Sequence, residues 1–261
     1  MRTMVLELIQ YRHLLMMLTW RDIRIRYKQS VMGFMWAIFM PLLIVAAGII
    51  VKKGISIISG KPLELSDLAS ITVKALPWSF FIGTVKFATS SLVSNRNLVT
   101  KIYFPREVFP LAAVLANLFD FGIASMALIV ILGFMGVGIS VHILWVPVLL
   151  LFLILFSAGI GMLMSCANLF FRDVKYIVDV IITFAIFFTP VFYEASIFGK
   201  WETLLLLNPV GTILEGINTV VVLHRPPNYF WLSYAASCGI GLFLIGWNVF
   251  HRLEYSFAEN I

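Results

Sequence analysis

Two charged residues, Lys86 and Asp120, stand inside stretches that are otherwise apolar or weakly polar. A charge in such a setting either pairs with a counter-charge or serves a substrate. Counted along helices at about 1.5 Å per residue, both fall near the middle of an apolar layer about 30 Å thick. They are therefore expected to form an ion pair between adjacent antiparallel helices. The rival reading turns Lys86 toward a lumen, to meet an anionic diphosphate lipid. A second constellation is basic. Arg21, Arg24 and Lys28 recur at i, i+3 and i+7 and share one helical face, while Asp22 and Arg26 are i, i+4 partners. That face reads either as a docking surface or as charge that fixes topology. The loop from Asn97 to Glu107 has the same two readings. Pro105 fixes its exit, and Phe104 is expected to be an exposed apolar anchor among Lys101 and Arg106. A third constellation is aromatic. Phe184, Phe187, Phe188 and Phe192 fall at i, i+3, i+4 and i+8, with Tyr193, Trp78 and Phe81 expected at the same level. Aromatic rings pack on the C–H faces of sugars without fixing sequence or charge, so such a stripe suits a sliding polymer. It also suits plain helix–helix packing.

Other chemistry is excluded by what is missing. The sequence has no Gly-x-x-x-x-Gly-Lys-Ser/Thr loop, so the chain cannot itself be a P-loop ATPase. It has no His-Glu-x-x-His and no Cys-x-x-Cys. The four histidines, His13, His142, His224 and His251, sit near span ends or in loops and read as interface residues. Asp120, Asp179, Glu194 and Glu215 occupy different spans and depths, which argues against a membrane enzyme with converging carboxylates. No catalytic residue and no metal ligand set is expected.

The elements that would position these residues follow from composition. Of 261 residues, 61% are hydrophobic and 12% charged. Soluble domains run about 45–50% apolar and about 25% charged, so the excess must face lipid. The fold class is all-α integral membrane. Residues 1–30 form a cytoplasmic amphipathic lead-in, with Val5, Leu8, Ile9, Leu15 and Leu18 at near-helical spacing, lying in the interface. Residues 31–261 form a single transmembrane domain. Six spans are expected, at about 33–51, 76–94, 108–137, 143–168, 177–193 and 230–250. Between 194 and 228 the apolar pieces are too short to cross. They read as two short re-entrant helices, or alternatively as one poor seventh span. No cleavable signal peptide is expected, because the first long apolar run begins near Val31. The net charge of +6 sits between apolar runs, and reads as a topology signal, not as a nucleic-acid surface. With the N-terminus inside, cytoplasmic segments carry about twice as many Lys and Arg as outer ones, which places both termini in the cytoplasm. No internal repeat is visible, which counts against a secondary transporter of inverted-repeat design.

Several segments carry a specific resemblance. They are Trp20-Arg21-Asp22-Ile23 with Arg26-Tyr27-Lys28-Gln29-Ser30 and Gly33-x-x-Trp36-Ala37; Asn97-Leu98-Val99-x-Lys101-Ile102-x-Phe104-Pro105-Arg106-Glu107; Asn168-Leu169-x-x-Arg172-Asp173-Val174-x-Tyr176; Thr189-Pro190-Val191-x-Tyr193; and Asn208-Pro209. Together and in order, they resemble the membrane subunit of ABC exporters for O-antigen, capsule or teichoic-acid polymers. The resemblance implies a permease of the bacterial inner membrane that dimerises and pairs with two copies of a separate ATP-binding subunit. ATP and Mg would be bound by that partner, with no cofactor in this chain. The two permeases would form a channel for a lipid-linked polysaccharide, gated at the outer side by the two short helices. Arg21, Asp22, Arg26, Tyr27, Lys28, Asn97, Lys101, Phe104, Pro105 and Arg106 would couple to the ATPase. The same architecture could carry a drug or a plain lipid, and Lys86 with Asp120 keeps a proton-driven transporter in view.

Overall fold

The computed structural model describes residues 10–28, 30–60, 62–101 and 104–257. Val5, Leu8 and Ile9 of the lead-in, Gln29, Ile102 and the side chain of Lys101 lie outside the described residues. Among the described residues every regular element is helical. In chain order these are α1 (Arg12–Tyr27), α2 (Met35–Ser59), α3 (Leu65–Ser94), α4 (Arg96–Lys101), α5 (Val108–Phe134), α6 (Val146–Phe170), α7 (Val174–Ala185), α8 (Glu202–Leu206), α9 (Pro209–Val221) and α10 (Tyr229–Leu253). Short 3₁₀ turns lead into α6 and α8 and follow α10.

Five of these helices are long and apolar enough to cross a membrane: Met35–Ile58, Leu65–Ser94, Val108–Phe134, Val141–Phe170 and Tyr229–Ser256. Three match expected spans closely, and α2 starts as expected but continues through Lys52 and Lys53, well past the expected end at 51. The other, α3, begins eleven residues before the expected start at 76, because the polar run Ser66-Asp67-x-x-Ser70-x-Thr72-x-Lys74 is helical and its last part is buried. Glu64 and Asp67 close a reciprocal capping box at its start.

The expected span at 177–193 is not one helix. α7 ends at Ala185, and residues 186–193 run in turns. Pro190 supplies the reason: it has no N–H to donate, and it pushes Thr189 away from helical backbone. Thr189 Oγ1 instead donates to the Ala185 carbonyl and accepts from Asn208 Nδ2. The segment 194–228 does not form a single span either. It breaks into a 3₁₀ turn with Gly199 at positive φ, then α8, then α9. Asn208 caps α9 by accepting from the Val210 amide, with Pro209 at the first helical position.

α3 and α6 form the centre, and α6 also lies along α10. There the backbones nearly touch. A Cβ built on Gly159 would stand 2.6 Å from the Leu242 carbonyl, and one on Gly246 would stand 2.6 Å from the Gly159 oxygen. Small residues allow such approach, which drives helix association where lipid removes the hydrophobic incentive. Two apolar clusters fill the interior. One, around Trp78, Leu149, Ile213 and Phe192, lies toward the end carrying α9. The other joins Leu18 of α1, Leu92, Val99, Phe104, Phe109, Met162, Phe250 and Phe257 at the opposite end.

Candidate functional site

α1 ends against the flank of α5, and the contact is ionic. Arg26 donates to Asp120 at 2.6 Å and to Asn117 Oδ1 at 3.2 Å. Tyr27 donates its hydroxyl to the other Asp120 oxygen, also at 2.6 Å. The Arg26 guanidinium lies over the Phe87 ring at 3.8 Å, a cation–π contact, and Tyr27 packs on Phe34. Burial, then the neighbouring Asp120 carboxylate, pushes the Tyr27 phenol above its ordinary pKa. It therefore stays a proton donor at neutral pH.

This clamp overturns the expected Lys86–Asp120 ion pair. Lys86 instead reaches Asp179 of α7 at 3.2 Å. Lys86 and Asp120 share a depth, but pairing also requires both helices to turn the right faces toward each other. Asp120 turns toward α1, a short helix that supplies both a cation and a phenol. The i, i+4 pairing of Asp22 with Arg26 is displaced too, since Asp22 bonds Arg21 at 2.7 Å. Arg24 and Lys28 remain exposed. So do Met16, Met17 and Trp20 on the outward face of α1.

The Asn97–Glu107 loop sits at the same end as α1. Asn97 is exposed on α4, and Pro105 and Arg106 are half-buried. Phe104 is not the exposed anchor expected from its basic neighbours. It is 6% exposed and packs on Phe109 at 5.4 Å, within the cluster that includes Phe250 and Phe257. The returning end of the chain covers it, a partner about 150 residues away that no local pattern reveals. The same return forms a polar tie. The Arg106 amide donates to Glu254 at 2.9 Å, and its guanidinium donates to the Glu254 carbonyl. His251 approaches Glu107 at 3.3 Å and Glu254 at 3.6 Å. Glu107, His251 and Glu254 each bring a ligand atom within 4.8 Å of the others, a donor set that could hold a divalent ion. Glu107 is 4% exposed, and its Oε2 has no hydrogen-bond partner among the described residues.

The aromatic stripe is divided by the break after Ala185. Phe184, Phe187 and Phe188 are exposed, whereas Phe192 is buried in the core. The expected single face therefore does not exist. Trp78 and Phe81 are also core side chains, with ring centroids 5.5 Å apart, and line no open path in this chain. Tyr193 is half-buried and donates its hydroxyl to the Phe187 carbonyl.

Sequence reading missed a buried lysine near the other end. Lys74 is fully buried, donates to the Tyr193 carbonyl at 2.6 Å and lies 3.4 Å from Glu215. Glu215 also accepts from the Ala195 amide at 2.9 Å. One lysine on α3 thus pins both the turn after α7 and helix α9. Its signal in the sequence was a charge at the edge of an apolar run, and there it reads as an end of a span.

Residues 13–222 match the family described as ABC-2 type transporter. The chain belongs to that family. As an ABC-2 chain it is a transport component and not an enzyme. It is 29% identical, over 99% of both chains, to the O-antigen export system permease protein RfbA of Myxococcus xanthus. It is 26% and 27% identical to two proteins of the same description from Klebsiella pneumoniae, over 94% of each chain.

Proposed function

We propose that the chain is the permease subunit of an ATP-driven exporter that moves a lipid-linked, O-antigen-like polysaccharide across the bacterial inner membrane. The observation that carries this reading is the end-to-end similarity to O-antigen export permeases, over 99% of both chains in one case. Two copies would enclose the channel, and two ATP-binding subunits holding ATP and Mg would dock below. In this reading α7 with residues 186–193 makes the sixth crossing. α7 alone, at 12 residues, covers only about 18 Å of a core about 30 Å thick. The lead-in, 1–30, lies in the cytoplasmic interface, with Met16, Met17 and Trp20 facing lipid. Residues 31–261 form the transmembrane domain, both termini are cytoplasmic, and α8 with α9 gates the outer side. Arg21 and Arg24 of α1 and Lys28 just after it, with Asn97, Lys101 and Pro105, offer the docking surface. Arg26, Tyr27, Phe104 and Arg106 transmit its movement, because their partners lie on α5, α10 and the turn after α10, while Asp22, bonded to Arg21, braces the docking face. Phe184, Phe187, Phe188 and Tyr193 face the conduction path.

The test is reconstitution. The chain and its ATP-binding partner are placed in vesicles with a polyprenyl-diphosphate-linked polymer on the ATPase side, and delivery to the lumen is measured. Delivery that requires both ATP and the partner supports the reading. Delivery without the ATPase, or ATP-dependent movement of lipophilic dyes but not of polymer, overturns it.

A further inference from the structure

Glu107, His251 and Glu254 stand where three segments meet: the entry to α5, the last turn of α10 and the 3₁₀ turn after it. One donor atom of each lies within 4.8 Å of the others. Such a cluster needs no ion where its members satisfy one another, and these do not.

The imidazole is one sign. His251 Nδ1 lies 3.3 Å from Glu107 Oε1 and 3.6 Å from Glu254 Oε2. Charged hydrogen bonds from nitrogen to a carboxylate are shorter, about 2.7–2.9 Å, and one N–H can point squarely at only one of the two. Glu107 is the other sign. Its Oε2, on the same carboxylate as the oxygen facing His251, is buried without a hydrogen-bond partner. Buried charges are paired or coordinate metals. Among the described residues no arginine or lysine forms an ion pair with Glu107. Arg106, its neighbour in sequence, gives its amide to Glu254 Oε1 and its guanidinium to the Glu254 carbonyl. Two carboxylates this close repel, and a cation between them removes that repulsion.

The spacing names the ion. Zinc holds histidine nitrogen and carboxylate oxygen at about 2.0–2.2 Å in a tetrahedron, whose ligand atoms then stand about 3.4 Å apart. The separations of 3.3 and 3.6 Å from His251 Nδ1 bracket that value. Octahedral magnesium would set neighbouring ligands at about 3.0 Å, and it prefers oxygen to imidazole. The side chains of His251 and Glu254 are 30% and 19% exposed, which leaves an entry path and room for a water, while Glu107 closes the inner side. The Arg106 amide occupies Glu254 Oε1, so it orients that carboxylate and leaves Oε2 for the metal.

We propose that Glu107, His251 and Glu254 bind one zinc-type divalent ion, with water as the fourth ligand. The ion fastens the start of α5 to the end of α10, beside the tie from Arg106. The site stands whether or not the chain exports a polymer.

The test uses the full-length chain in detergent, without a polyhistidine tag and stripped with EDTA. Zn²⁺ is titrated in competition with a chromogenic chelator. One ion per chain should bind, with a Kd of about 1 µM or tighter. His251→Gln and Glu254→Gln, at partly exposed side chains, should each weaken binding by at least the roughly 10–100-fold that outer-shell changes cause. Glu107→Gln should do the same in a chain that still melts cooperatively. His142→Gln, toward the other end, should change nothing. Co²⁺ in place of Zn²⁺ should give the intense visible absorption of a four-coordinate site, lost in His251→Gln. Zn²⁺ should also raise the melting temperature of the unaltered chain and not of the His251 and Glu254 variants. The site is overturned if no saturable Zn²⁺ binding is found, or if His251→Gln and Glu254→Gln each weaken it by less than about tenfold. Binding at these residues with no rise in melting temperature overturns the fastening role.

Discussion

The seam between α6 and α10 and the flank formed by α7 are built from equally apolar sequence, yet they pack in opposite ways. At the seam, Gly159, Gly239 and Gly246 bring backbone against backbone, with no room for a single added carbon. On α7 only Val178 and Ile182 are buried, and Ile177, Val180, Ile181 and Phe184 face outward. The difference lies in side-chain size, not hydropathy. In lipid an apolar side chain gains little from burial as such, so a helix pair closes only where small residues permit close contact. A face of large residues is left for lipid or for another subunit.

The sharpest way to break this contrast is Gly159→Leu. Its side chain would meet the Leu242 backbone, which cannot rotate aside. The cost should reach about 3 kcal/mol or more, read as loss of a monodisperse peak in detergent. An unchanged melting temperature would show that the seam is slack. Phe104→Ala comes next. Because Phe104 lies inside a closed cluster and not on a surface, truncation should cost about 3 kcal/mol of stability, together with any effect on ATPase coupling. A normal melting temperature with lost coupling would restore it as a docking residue.

The ion pairs sharpen the same distinction at smaller scale. Arg26 and Asp120 have side chains 16% and 21% exposed, whereas Lys86 and Asp179 are 37% and 40% exposed. A double-mutant cycle with Arg26→Gln and Asp120→Asn should show coupling of about 2 kcal/mol. The cycle with Lys86→Met and Asp179→Asn should show less than about 1 kcal/mol. Equal couplings would mean that the α1 clamp is no more closed than the α7 contact. Smallest of all should be the stability effect of Phe184→Ala with Phe188→Ala, within about 0.5 kcal/mol for exposed positions. If they face a conduction path, polymer delivery should nevertheless fall. Cysteines at those positions that never react with aqueous thiol reagents in any nucleotide state would assign the face to lipid.

Much of this was legible from residue order. Runs of large apolar residues placed α5, α6 and α10 to within a few residues, and Asn208-Pro209 marked a real interruption. α2 runs eight residues past its expected end at 51, and the expected span at 177–193 runs through Thr189-Pro190. The failed pairings share one cause. Hydropathy and counting give depth along a helix, but not rotation about its axis. Lys86 and Asp120 were therefore assigned to each other at matching depth, although they face different neighbours. The tie from Arg106 and Glu107 to His251 and Glu254 links positions more than 140 apart, and nothing in either segment announces the other. Lys74 stands just ahead of the expected span start at 76, where a charge is unremarkable. Its partners, a turn carbonyl and Glu215, exist only once the chain has returned.

The glycine contacts also constrain how the chain could change shape. Interfaces padded by long side chains can slide by exchanging rotamers, as in shear motions. Between α6 and α10 there are no such side chains at the points of closest approach, only main-chain atoms. These two helices must travel as one girder. Any opening of the bundle therefore has its pivots where helices meet through side chains, as α7 does through Val178, Ile182 and the Lys86–Asp179 pair.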